Sequence, residues 1–200
     1  SDLAVFSIEL PDARQLQPDY AFLTAAYHQV MIAGLTAFAN KEDHSKPKID
    51  IIGLGGGVLP MSLHLYFNVD LSVVELDPVI AQVAKEWFSI DASIPVHIGD
   101  GVQYIKDQSN KVMIFKRNDL PDDLDTGNEV DVLIVDAGGG DDTIGMSCPP
   151  AAFVSHSFLS AARDYITDDG MLIVNFVAQS TKTYRSAIDT LKTIFQFVCT

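Results

Sequence analysis

The stretch Ile49-Asp50-Ile51-Ile52-Gly53-Leu54-Gly55-Gly56-Gly57-Val58-Leu59-Pro60 runs from a short apolar strand into a glycine turn that opens a helix. Leu71-Ser72-Val73-Val74-Glu75-Leu76-Asp77-Pro78 supplies a second strand, which ends on an acid about twenty residues past the glycines. Together these read as a nucleoside-binding βαβ unit. Glycines at 53, 55, 56 and 57 let the backbone turn sharply at the strand's carboxyl end and let a ligand approach with no Cβ in the way. The carboxylate of Glu75 would accept hydrogen bonds from a ribose diol, with Leu76 and Asp77 following it beside the same nucleoside.

The third fingerprint position separates the ligands that use such a unit. A dinucleotide site needs glycine or alanine at 58, where the helix packs closely on the strand and its N-terminus receives a pyrophosphate. This chain has Val58. A β-branched residue there points to a nucleoside ligand without phosphates, such as S-adenosylmethionine.

Two hundred residues at 48% hydrophobic suffice for one domain with a sizeable core, and the α/β pattern uses nearly all of them. The formal net charge of −14 disfavours nucleic acid, whose phosphates need clustered Lys and Arg, and suits a cationic substrate. Cys148 and Cys199 lack C-x-x-C spacing, and His44, His64, His97 and His156 lack metal-like spacing, so no metal is expected. The N-terminus has no basic stretch before an apolar run, and no apolar run reaches membrane-spanning length. A soluble, reduced, cytoplasmic protein is the expectation.

Outward from the glycine turn, the pattern alternates. Apolar positions from Tyr20 to Phe38 predict a helix over 19–39, ahead of strand one at 49–54. A helix over 58–67, a strand at 71–75, a helix from Asp77-Pro78 to Phe88 and a strand at 95–98 follow. Next come a helix to Gln108, a short strand at 112–115, a polar loop over 116–129 and a strand at 130–135. A helix over 151–166, a strand at 171–177 and a helix over 181–194 complete the series. Strands alternating with helices require right-handed crossovers and a mostly parallel sheet with helices on both faces. Residues 1–47 form an N-terminal segment and helix, and 48–200 the Rossmann-like core of a single domain.

Ligands of such sheets bind beyond the carboxyl ends of the strands, where strand order reverses. Asp100 lies at one such end, suited to accept from an adenine amino group while the Gly101 amide addresses a ring nitrogen. It is equally suited to cap the next helix. Asp136 ends the central strand, before Ala137-Gly138-Gly139-Gly140-Asp141-Asp142, beside the expected methionine end of the cofactor. A carboxylate there would orient or help deprotonate a substrate amine. His28, between Tyr27 and Gln29 on the helix before the sheet, would project over the same cleft.

Three segments carry a family resemblance: Tyr27-His28-Gln29-Val30-Met31-Ile32-Ala33-Gly34-Leu35, Gly53 to Pro60, and Gly145-Met146-Ser147-Cys148-Pro149-Pro150. They resemble the spermidine-synthase-like branch of class I S-adenosylmethionine-dependent methyltransferases. The nearest likeness is to the methyltransferase-like thirteen group, whose C-terminal domain methylates translation elongation factor 1-alpha. That resemblance implies a Rossmann-like sheet, S-adenosylmethionine as cofactor, and methylation of an amine on a protein substrate. It implies catalytic roles for Asp136 and His28, with cofactor contacts from Gly53, Gly55, Gly56, Gly57, Glu75, Leu76, Asp77, Asp100, Gly101 and Asp136.

Two departures qualify it. The group's D-x-D-S-x-D-P after strand four is Asp136-Ala137-Gly138-Gly139-Gly140-Asp141-Asp142 here, and the spermidine synthase D-S-S-D-P is also absent. Aminopropyl transfer to putrescine is thereby the weaker alternative, and a catalytically silent binding domain is the other. The chain also stops at Phe195-Gln196-Phe197-Val198-Cys199-Thr200, leaving the usual C-terminal antiparallel strand pair incomplete, as in a fragment or a shortened member. The expectation is that Phe195 to Val198 does not pair normally, and that strand 171–177 offers an open edge for self-association, as in a homo-oligomer.

Overall fold

The computed structural model describes residues 18–23, 25–36, 46–117, 129–139 and 145–200. Five strands form one parallel sheet: Lys48–Ile52 (β1), Asp70–Glu75 (β2), Val96–Ile98 (β3), Val130–Val135 (β4) and Ile166–Val174 (β6). Their order is β3-β2-β1-β4-β6. The chain steps outward from β1 to β3 and returns to β4 on the other side of β1. The switch point therefore lies between β1 and β4. Register sets Ile52 beside both Val74 and Val135, so the residues that follow, at 53, 75 and 136, emerge together at the carboxyl end.

Buried strand residues point alternately to two cores, as the two-residue period of a strand requires. Ile49, Ile51, Val73, Val132 and Ile134 pack with Met31 and Leu35 of α1 (Ala26–Leu35), Leu59 and Leu63 of α2 (Val58–Tyr66), and Ala84 of α3 (Pro78–Trp87). Ile52, Val74, Leu133 and Val135 pack on the opposite face with Ile105 and Val112 of α4 (Gly101–Arg117) and Phe158, Leu159 and Ala162 of α5 (His156–Tyr165). Leu191 of α6 (Thr181–Lys192) adds to that second face. Each fully buried Leu, Ile or Val contributes about 1.5–3 kcal/mol. One polar group interrupts the apolar run of β1. Asp50 is buried and accepts from Ser72 Oγ at 2.6 Å, Tyr165 Oη at 2.7 Å and Tyr104 Oη at 3.3 Å, so its burial is compensated. Burial, and then the Asp50 charge, push the Tyr165 phenol far above its ordinary value.

Several boundaries differ from the sequence reading. The expected strand at 112–115 is helical, because Ile105, Ser109 and Val112 recur at helical spacing on one buried face and neither Gly nor Pro stops α4 after its first residue. Residues 118–128 of the expected polar loop lie outside the described residues. The first helix begins at Ala26 rather than at 19, since residues 20–21 form a turn held by Asp19, and residues 37–39 of the expected span lie outside the described residues. The expected helix over 151–166 is a 3-10 turn at Ala151–Val154 followed by α5. Ser155 breaks the two and caps the second, accepting from the Phe158 N–H.

The expected strand at 171–177 is also two elements. β6 pairs with β4 to Val174, while Val177–Ala178 (β7) leaves the sheet and pairs antiparallel with Met146–Cys148 (β5). β6 is the sheet's outer strand on that side, and Phe195 to Val198 forms no strand, as the sequence reading expects.

Candidate active site

The glycine turn closes around its own backbone. Gly53 N–H donates to Val74 C=O at 2.8 Å and Gly57 N–H to Leu54 C=O at 2.9 Å, while Gly53, Gly55 and Gly57 all take positive φ. Gly53 is the most constrained of them. A Cβ there would stand 2.3 Å from the Asp136 carbonyl oxygen, so β1 and β4 approach this closely only without a side chain. At Gly55 the same Cβ would meet nothing within 4 Å, which leaves an open cradle over the turn. Gly56 lies against the Phe88 ring, and Gly57 caps α2.

Glu75 is buried at the end of β2, with both carboxylate oxygens engaged. Oε2 accepts from Leu54 N–H at 2.9 Å and Oε1 from Asp77 N–H at 2.9 Å. The carboxylate thus ties the glycine turn to the start of α3. A carboxylate offers about four acceptor positions, so two stay free for a diol. Around it the surface is apolar: Leu76 is 69% exposed, and Ile98, paired with Glu75 across β2 and β3, is 51% exposed. Asp77 and Asp100 both serve as helix caps. Asp77 accepts from Val79 N–H at 2.8 Å, and Asp100 from Val102 and Gln103 N–H at 2.7 and 3.0 Å. Gly101 is buried at the start of α4, where a Cβ would fall 2.4 Å from Ile52 Cγ2.

Across the switch point, Asp136 is held from two sides. His28 Nε2 lies 2.9 Å from Oδ2, and Asn175 Nδ2 donates to Oδ1 at 3.0 Å. α1 brings the histidine there because His28, Met31 and Leu35 share one stripe of the helix, the latter two buried against the sheet and His28 one turn nearer the strand ends. The Nε2–H tautomer suits this contact: it donates to the carboxylate and leaves Nδ1, buried and unpartnered, as an acceptor rather than an orphaned donor. Tyr27 stacks at a tilt on His28, centroids 4.3 Å apart. Burial, then the charges of Asp136 and Cys148, push its phenol above the ordinary tyrosine value. Burial likewise raises the Cys148 thiol on β5, with Asp136 acting in the same direction.

The structure thus gathers the glycine turn and Glu75 on one side of the switch point and His28, Asp136, Tyr27, Cys148 and Asn175 on the other. Asn175 is absent from the sequence reading. Its signal in the sequence is a polar residue directly after the apolar run Met171 to Val174, hidden when one strand is read through to 177. Asp141 and Asp142 lie outside the described residues. Among the described residues, no group of three or more His, Cys, Asp or Glu is placed to hold a metal ion, and no helix is long and apolar enough to cross a membrane.

No family model matches the sequence. The human eEF1A lysine and N-terminal methyltransferase is 34% identical over 94% of this chain, which spans only 26% of that relative's length. A crystal structure of human methyltransferase-like protein 13 in complex with SAH superposes with a TM-score of 0.74 at 32% identity, covering 88% of this chain and 75% of that one. Spermidine synthase from Thermotoga maritima shares the fold, with a TM-score of 0.59 at 20% identity over 86% of this chain and 51% of that one. With its Rossmann-like sheet, its glycine turn and an aspartate ending β4, the chain belongs to the methyltransferase-like protein 13 family of class I methyltransferases.

Proposed function

We propose that this chain binds S-adenosylmethionine over the glycine turn and methylates an amine on a protein, with an elongation factor 1-alpha type substrate as the leading candidate. The observation that carries the reading is Asp136, fixed between His28 and Asn175 at the switch point, directly across from Glu75 and the open turn at Gly55. Those residues fit the cofactor. Glu75 keeps acceptor capacity for a ribose diol, Leu76 and Ile98 offer apolar surface to a purine, and Asp100 combines its cap with a free oxygen at the same strand ends. When bound, the cofactor supplies an electrophilic methyl group.

The chain's own task is then positional. Displacement at a methyl carbon depends on near-line alignment of the nucleophile, and a fixed carboxylate aligns an amine by accepting its N–H. Asp136 would hold the amine, and His28 would take part in moving its proton away from the cleft. The acidic surface draws in a cationic protein segment. This reading takes residues 1–200 as a single domain that acts in the cytoplasm. Self-association through the outer edge of β6 goes with it, because among the described residues no strand pairs with that edge, and an unpaired strand edge templates further pairing.

Calorimetry with S-adenosylhomocysteine, followed by mass spectrometry of an elongation factor N-terminal peptide, tests the reading. Binding and methylation are expected. Asp136→Asn should keep cofactor affinity and lower turnover by roughly 10²-fold or more. No binding by folded protein at millimolar ligand refutes it.

A further inference from the structure

We propose that Asn175 is a positioning residue for amine capture, an extension that rests on the methyl-transfer reading above. It fixes Asp136 without neutralising it. Asn175 follows directly on β6, and its backbone N–H donates to Val135 C=O at 2.9 Å, extending the β4–β6 ladder one step past the strand. That bond sets its Cα alongside Asp136. From there its side-chain amide reaches Oδ1 at 3.0 Å, while His28 approaches Oδ2 from α1 at 2.9 Å. The two donors come from different elements, the strand beside Asp136 and the helix over it, and each holds one oxygen of the carboxylate.

The chemistry of the donor matters as much as its reach. A carboxylate accepts and does not donate, so the amide must present its NH2 group, and the Nδ2 assignment follows from the partner. An amide donor carries no charge. Lysine or arginine at 175 would hold Asp136 equally well but cancel its charge, and with it the attraction for an incoming ammonium. Asn175 supplies the geometry and leaves the charge to the substrate. Among the described residues, the other titratable groups facing Asp136 are His28 and Tyr27 from α1 and Cys148 from β5. Among the described residues Asn175 is the amide that donates to Asp136, and an amide donor does not titrate.

Two variants test this, Asn175→Ala and the nearly isosteric Asn175→Asp, each first checked for an unchanged fold by circular dichroism. With the amine peptide saturating, Asn175→Ala should lower kcat roughly 10- to 100-fold, the scale of a displaced catalytic group, with S-adenosylhomocysteine affinity within about twofold of wild type. Asn175→Asp places a second carboxylate where the amide donated. Two carboxylates so close share one proton as pH falls, so its activity relative to Asn175→Ala should rise toward low pH. A purely structural asparagine gives no such crossing.

A kcat within twofold of wild type for Asn175→Ala, or an Asp/Ala ratio flat with pH, overturns the proposal and leaves the methyl-transfer reading standing. If the wild type transfers no methyl group, that reading fails. The positioning claim is then decided by nitrogen-15 NMR of the His28 ring. Its tautomer signals should move toward those of free imidazole in Asn175→Ala, and unchanged signals overturn it.

Discussion

The two halves of the site are built differently. The glycine turn and Glu75 come from one βαβ unit, and the bond between them, Leu54 N–H to Glu75, joins residues 21 apart. The clasp on Asp136 draws on His28, 108 residues away, and Asn175, 39 residues away. Chain continuity sets the first half, whereas the second exists only once β1, β4, β6 and α1 have packed. A substitution in the first half should therefore disturb fold and cofactor together, while one in the second should separate chemistry from binding.

Gly53 offers the most severe way to break that contrast, because it is where the halves touch. Gly53→Ala puts a Cβ 2.3 Å from the Asp136 carbonyl oxygen in a backbone held at φ +101°. Neither atom belongs to a flexible side chain, so the sheet ends must separate. A loss of about 3 kcal/mol or more in urea unfolding is expected, combining left-handed strain with backbone overlap. S-adenosylhomocysteine binding should fall with it. A variant of wild-type stability would mean that the two strand ends part easily.

Glu75 tests the first half alone. Its carboxylate satisfies two backbone donors, one of them buried, besides the ribose contact proposed for it, so a purely ligand-directed view of it is incomplete. Glu75→Ala should weaken S-adenosylhomocysteine by roughly 1.5–3 kcal/mol and lower stability by a similar amount through the orphaned N–H groups of Leu54 and Asp77. Glu75→Gln, which keeps an acceptor oxygen for one of the two, should fall between. Calorimetry and denaturant unfolding on the same samples separate the effects. Weaker binding at full stability would show that the turn does not need its tie to β2.

The same division explains what was legible in the sequence. Strand, turn, helix and acid are local, so β1, α2, β2, the N-cap at Asp77 and the position of Glu75 were readable from spacing alone. Asp136 was readable because an apolar strand ends on it. His28 was readable as a residue projecting over the same cleft as Asp136, with a catalytic role implied by the family resemblance; its hydrogen bond to Asp136 is a tertiary fact. Asn175 is hidden inside the expected strand 171–177, because β6 ends at Val174 without a Gly or Pro to mark the boundary. The small β5–β7 sheet is made of three-residue and two-residue strands whose pairing leaves no periodic trace. The strand expected at 112–115 failed for a related reason: a short apolar run belongs as readily to a buried helix, and the pattern that extends α4 lies outside the run itself.

The smallest expected effect probes how enclosed the second half is, through the two thiols. Cys148 is partly buried near Asp136, whereas Cys199 is exposed. Burial, reinforced by the negative charge of Asp136, raises the Cys148 pKa, and a raised thiol pKa means less thiolate at any given pH. Each unit of rise slows alkylation about tenfold while pH stays below the pKa. Iodoacetamide at pH 8 should therefore label Cys199 first, with the rate gap narrowing as pH climbs past the ordinary thiol range. Asp136→Asn removes the charge but not the burial, so it should speed Cys148 labelling modestly and leave Cys199 unchanged. Peptide mass spectrometry of timed samples reads both sites at once. Equal labelling at pH 8 would mean that the cleft beside Asp136 is open to solvent, and the second half of the site would then be far less enclosed than the first.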